Sequence, residues 1–170
     1  MHERFEIEQK YRISKPENLR RRLRALGARR FRTGLEHNEF FDWQGRLRRK
    51  RLALRLRRFG GSSGVLTLKG PRRRSRFTKR LELETKVHYD AARSILAQLG
   101  FRSWARYTKR REAYAIGQGV VTLDRIAGRG WFLEIEGRPR AIERLERNLG
   151  LRPLNREERS YMEMLFGYKD

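Results

Sequence analysis

The residues of this sequence best suited to chemistry are charged side chains that recur at every second position. Glu6, Glu8 and Lys10 open the pattern, followed by Arg55 and Arg57, Thr67 and Lys69, Arg80, Glu82 and Glu84, Lys109 and Arg111, Thr122 and Asp124, and Glu134 and Glu136. Side chains two apart in an extended chain point the same way, so each group converges on one face. Carboxylates gathered like this are hard oxygen ligands, and Lys and Arg complement phosphate oxygens. The sequence has no cysteine, and its three histidines form no cluster. Thiolate sites are therefore excluded, and a hard divalent cation is favoured over zinc.

The elements that must position these groups follow from the pattern of apolar residues. Strands are predicted over 4–13, 29–42, 51–59, 65–69, 76–87, 101–116, 119–126 and 130–136, where apolar and polar residues alternate. Gly60-Gly61-Ser62-Ser63-Gly64 reads as a turn between two of them, and a further turn is expected at Gln44-Gly45. Helices are predicted over 16–26, 90–99, 139–149 and 156–166. Pro16 and Pro139 suit first turns, and Gly27, Gly100 and Gly150 suit ends. In the second helix Ala91, Ile95 and Leu99 are expected to form the apolar face. The basic segment 72–76 is expected to be a mobile loop.

Eight long, mostly antiparallel strands can close into a barrel and so remove their edges. The expected fold is α+β: an eight-stranded antiparallel β-barrel, a tunnel with a charged lumen, with the helices packed outside. Any one strand of this kind could equally be a plain half-solvated sheet with its charges in water. The apolar faces need cover, however, and four amphipathic helices supply it, which turns the charges inward. A lumen of isolated charges would be costly to desolvate, but becomes tolerable when water-filled and matched by cations and phosphates.

The 170 residues suit one domain, 1–170. The apolar content of 38% includes nine Phe, six Tyr and three Trp, enough aromatic surface for a substantial core. No apolar run approaches the length of a membrane span and no signal-peptide pattern opens the chain, so a soluble cytoplasmic protein is expected. With 43 Lys and Arg against 20 Asp and Glu, the formal net charge is +23. Such a surplus suits polyanionic partners, although an Arg-rich proteome would produce the same surface runs at Arg20–Arg24 and Arg72–Arg76.

Glu6-Ile7-Glu8-Gln9-Lys10 resembles the ExExK signature of the CYTH superfamily, the triphosphate tunnel metalloenzymes, which include class IV adenylate cyclase, thiamine triphosphatase and inorganic tripolyphosphatases. The resemblance continues in order through Phe40-Phe41-Asp42, Leu54-Arg55-Leu56-Arg57, Leu66-Thr67-Leu68-Lys69-Gly70-Pro71, Glu82-Leu83-Glu84, Lys109-Arg110-Arg111, Leu123-Asp124, Glu134-Ile135-Glu136 and Ser160-Tyr161. It implies an eight-stranded tunnel, Mg²⁺ or Mn²⁺ as cofactor, and a triphosphate-bearing substrate: tripolyphosphate, ATP or thiamine triphosphate.

On that resemblance the metal set is Glu6, Glu8, Glu134 and Glu136 with Asp124 close by, since neighbouring first and eighth strands would pool their carboxylates. The phosphate set is Lys10, Arg55, Arg57, Lys69, Lys109 and Arg111, Arg supplying planar forks and Lys compact charges. Glu82 and Glu84 would orient these bases or hold a second metal. The expected activity is metal-dependent hydrolysis of a triphosphate. Adenylate cyclase activity on ATP and a non-catalytic polyphosphate or nucleic-acid binding module are the alternatives. His37 has no assigned role, and the oligomeric state, monomer or homodimer, stays open.

Overall fold

The computed structural model describes residues 4–73 and 75–168. Eight strands run β1 (Arg4–Ile13), β2 (Arg29–Asp42), β3 (Ala53–Arg58), β4 (Ser63–Lys69), β5 (Thr78–His88), β6 (Arg102–Ile116), β7 (Gly119–Ile126) and β8 (Gly130–Gly137). Every neighbouring pair is antiparallel, and the sheet closes in the order β1-β5-β4-β3-β2-β6-β7-β8. Closure leaves no edge strand exposed.

Helices α1 (Pro16–Ala25), α3 (Tyr89–Gln98) and α4 (Pro139–Leu149) cover the outer apolar faces. Leu19 and Leu23 of α1 and Ile142, Leu145 and Leu149 of α4 share a buried cluster with Tyr11, Val121, Leu123, Leu133 and Ile135 of the barrel wall. Gly150, at φ 63°, ends α4 in the left-handed conformation that glycine adopts without strain. Across the barrel, α3 buries Tyr89, Ala92 and Leu96 against Phe41 and Leu56. The expected α3 face is thus corrected: Ile95 and Leu99 are 59% and 64% exposed. Both stripes have helical spacing, and the sheet beneath receives the one that carries Tyr89 and Leu96.

Two further elements depart from expectation. A short helix, α2 (Arg46–Arg49), follows the turn at Gln44-Gly45, fastened by Asp42, which accepts from the Leu47 amide at 3.0 Å. The last helix is only Tyr161–Phe166, here α5, because Ser160 caps it by accepting from the Glu163 amide. The chain before it is extended, pairing Arg156 with Tyr11 and donating from the Glu157 amide to the Lys10 carbonyl.

Helix α5 also differs in what it covers. It lies across one end of the barrel, where the inward-facing residues turn from charged to apolar. Met162 packs with Phe40, Ala53 and Ala105, and Tyr161 and Met164 pack with Ile126 and Phe132. The inner face therefore has a dry, aromatic stopper at the α5 end and carries its charge beyond it. Exposure of the lumen rises away from the stopper, and the Glu84 side chain is 41% exposed. Among the described residues no helix is long and apolar enough to cross a membrane.

The α3 result makes a direct prediction. Leu96→Ala should cost about 2–4 kcal/mol in urea unfolding, as for a buried leucine. Ile95→Ala should stay within roughly 0.5 kcal/mol of the parent.

Candidate active site

The lumen is a cavity of about 730 Å³. Twelve of the thirteen expected site residues line it: Glu6, Glu8 and Lys10 from β1, Arg55 and Arg57 from β3, Lys69 from β4, Glu82 and Glu84 from β5, Lys109 and Arg111 from β6, and Glu134 and Glu136 from β8. Strand register brings them together. Glu8 stands opposite Glu136 and Lys10 opposite Glu134 on the β1–β8 ladder, while Lys69 stands opposite Glu82 on β4–β5.

These charges sort into pairs. Lys69 Nζ lies 2.7 Å from Glu6 and 2.8 Å from Glu82. Arg55 reaches Glu82 and Glu84 at 3.7 Å each, and Arg57 reaches Glu84 at 3.1 Å. Arg111 holds Glu134 at 2.6 Å. Burial alone would raise the Glu134 carboxyl, but Lys109, Arg111 and Lys10 outweigh it and hold it down at about 2. For Lys10 burial wins: it depresses the ammonium, Arg72 and Lys109 add to this, and Glu134 and Glu8 only partly compensate.

The thirteenth residue, Asp124, stands apart. It is fully buried behind the cavity wall. Its carboxylate accepts from Lys109 Nζ at 2.9 Å, from Arg111 at 2.7 and 2.6 Å, and from the Tyr161 hydroxyl at 2.8 Å. Its oxygens are thus engaged by donors from β6 and α5, which sets it beside the two cations of β6 rather than in the open lumen.

The β1–β8 carboxylates fit a hard cation by donor type. Glu8 is pushed up to about 7, first by burial and then by repulsion from Glu6 and Glu134. Burial is the larger cause, and the repulsion is the part that a divalent ion held there would relieve. Among the described residues, no three such ligands already stand as a ready cage. Glu6 is turned toward Lys69 and Glu134 toward Arg111.

Several lumen residues escaped the sequence reading. Glu36 is fully buried beside Lys109, Arg57 and Arg111. Its signal was parity, since Glu36, Asn38 and Phe40 share one face of β2. Arg80, recognised as part of a charged face but given no role, is 3% exposed, lines the cavity and donates to the Gly70 carbonyl at 3.0 Å. Tyr107 and Tyr161 also line it. The Tyr161 ring lies 4.4 Å from Lys10 Nζ and 4.5 Å from Lys109 Nζ, a cation–π contact on each.

Arg72 is corrected more sharply. Expected on a solvated loop, it lines the lumen and donates to the Glu158 carbonyl. Of its neighbours, Arg73 bridges to Lys79 and Arg76 pairs with Glu143 at 2.6 Å, while Arg74 lies outside the described residues. His37 is partly exposed and shares a 3.0 Å hydrogen bond with Thr108.

The comparisons with known proteins agree with this fold. The PH1819 protein of Pyrococcus horikoshii OT3 is similar at 30% identity and a TM-score of 0.79, over 95% of this chain and 98% of that one. A candidate adenylate cyclase from Vibrio parahaemolyticus is similar at 26% identity and a TM-score of 0.86, over 96% of this chain and 99% of that one. The candidate adenylyl cyclase HpAC1 from Hippeastrum, described as having a dominant triphosphatase activity, shares the fold at 20% identity and a TM-score of 0.75, over 97% of each chain. No curated protein matches the chain. CYTH triphosphate tunnel enzymes are divalent-metal dependent. The CYTH domain model matches residues 4–162, nearly the whole length of the barrel and its helices, and the chain belongs to that family.

Proposed function

We propose that the protein hydrolyses inorganic tripolyphosphate with the help of Mg²⁺ or Mn²⁺. The observation that carries this reading is the stoppered lumen, lined on its charged part by cations on β1, β3, β4 and β6 and by carboxylates on β1 and β8. A short linear polyanion suits the charged lining of this cavity and needs no rim contact for an organic group.

Lys10, Arg55, Arg57, Lys69, Lys109 and Arg111 bind and align the phosphates, with Asp124 and Tyr161 holding the β6 pair in place. Arg72 and Arg80 add positive charge from β5 and the loop before it. Glu6, Glu8, Glu134 and Glu136 would hold the divalent ion, Glu6 and Glu134 turning from Lys69 and Arg111, and Glu82 and Glu84 orient Lys69, Arg55 and Arg57. When bound, the ion would supply neutralisation of the charge that develops on the phosphoryl oxygens. Water adds to a terminal phosphorus, the bond to the bridging oxygen breaks, and phosphate and pyrophosphate leave.

A second reading, conversion of ATP to cyclic AMP and pyrophosphate, is favoured by the 26% identity to the Vibrio candidate cyclase. A panel of tripolyphosphate, ATP and thiamine triphosphate under each metal separates the two. Free phosphate from tripolyphosphate is expected; cyclic AMP without free phosphate reverses the ranking, and no turnover of any triphosphate removes the enzyme reading.

The third reading is a non-catalytic binder of long polyanions through the exposed basic surface. It predicts steeply salt-dependent binding, since each neutralised phosphate releases counterions. Changing Arg55 and Arg57 to Ala should lower tripolyphosphate turnover on the order of 100-fold. Changing the exposed Arg21 and Arg24 should leave turnover nearly unchanged and weaken only long-polyanion binding. Arg72, being in the lumen, belongs with the first pair.

The carboxylate set has its own test. Glu136→Gln should abolish metal-dependent turnover with the fold intact. In EDTA, Glu8→Gln should melt higher than the parent. A carboxyl raised to about 7 in the folded protein loses stability as pH climbs from the unfolded value of 4.5 through 7. The gain should therefore be small near pH 4.5 and full above pH 7, roughly 2–4 °C for each 1 kcal/mol. Added Mg²⁺ should stabilise the parent more than the variant, and equal stabilisation of both would count against Glu8 as a ligand.

A further inference from the structure

Glu36 stands behind the lumen wall, against three of the cations that would meet an anionic guest. It projects inward from β2 opposite Lys109, and its carboxylate is fully buried. It stands 3.5 Å from Lys109 Nζ and 3.7 Å from both Arg57 and Arg111. Oε1 accepts from the Asn38 amide at 3.1 Å, but Oε2 accepts no hydrogen bond. The acid therefore cancels charge on three phosphate-binding cations without occupying their donor positions. Lys109, Arg111 and Arg57 hold it ionised against its burial.

The effect on the lumen is decisive because the balance is close. Among the described residues, eight Lys and Arg side chains line the cavity against six glutamates. Glu36 and Asp124, behind the wall, bring the formal charge to parity when every acid is ionised. A neutral lumen gives no net attraction to a bare triphosphate carrying four or five negative charges, and losing water around that anion is costly. A triphosphate that arrives with two divalent ions is close to neutral itself, and it can still use every hydrogen-bond donor that Glu36 leaves open.

We propose that Glu36 is a specificity residue that makes triphosphate binding conditional on accompanying divalent ions. The inference rests on the triphosphate reading above and adds to it a residue that discriminates the metal-bound from the metal-free ligand. Removing its charge leaves the lumen with a surplus cation, so the bare anion gains affinity while the metal-bound form, already near neutral, gains little.

The test is calorimetric titration of tripolyphosphate into the parent and Glu36→Gln, once in EDTA and once in Mg²⁺, with circular dichroism and melting curves to establish folding. The expected result is a metal-free affinity higher by about 10- to 100-fold in Glu36→Gln. The Mg²⁺ affinity should change little, so the ratio between the two conditions shrinks. Glu143→Gln, the same charge change at an exposed pair with Arg76, should change neither affinity. Asn38→Asp, which adds charge beside Glu36, should lower the metal-free affinity and widen the ratio, and it tests the idea independently if Glu36→Gln does not fold. An unchanged metal-free affinity in Glu36→Gln, or an equal gain in Glu143→Gln, overturns the proposal. A parent that binds no tripolyphosphate even with Mg²⁺ overturns the triphosphate reading first, and this inference with it.

Discussion

Charge enclosed in a closed barrel must be matched where it stands, and that constraint shapes the rest of the molecule. An unpaired ion taken out of water costs several kcal/mol, and removing one partner of a buried pair costs as much again. Asp124 and Glu36 are fully buried and Lys109 is 2% exposed, so none of them could stand there alone. Each is matched by groups from another strand: Asp124 by Lys109 and Arg111, Glu36 by Lys109, Arg57 and Arg111. Those matches exist only when β2, β3, β6 and β7 are neighbours in this register. The ion network thus depends on barrel closure, and the apolar outer clusters supply the free energy that closes it.

Tyr161 joins the two kinds of interior. Its ring packs on Phe132 in the apolar stopper, with centroids 5.5 Å apart, and its faces lie near Lys10 and Lys109. Its hydroxyl donates to Asp124. One side chain from the C-terminal helix therefore fixes the boundary between dry and charged lumen, and couples the position of α5 to that of the β6 cations.

How much of this was legible in the sequence depended on which physical rule governed each residue. Strand periodicity is a property of the backbone, so the inward sets Glu6/Glu8/Lys10, Arg55/Arg57 and Lys109/Arg111 could be read directly. Glu36 obeys the same rule, but His37 and Glu39 make the opposite face of β2 polar too, and the contrast between faces is lost. Asp124 was legible as inward-facing but not as fully engaged, because its donors come from β6 and from α5. In α3, Ala92/Leu96 and Ala91/Ile95/Leu99 are both helical stripes, and only the sheet beneath chooses between them. Arg72 sits in a basic run in which Arg73 and Arg76 face solvent. Nothing local distinguishes Arg72 as turning inward.

The stopper at the α5 end has a consequence for traffic. With Phe40, Phe132, Met162 and Met164 sealing that end, the lumen is a cul-de-sac. Whatever goes in past Arg57 and Glu84 must come out the same way. With one way in and out, a molecule at the mouth stands in the path of anything deeper in the lumen.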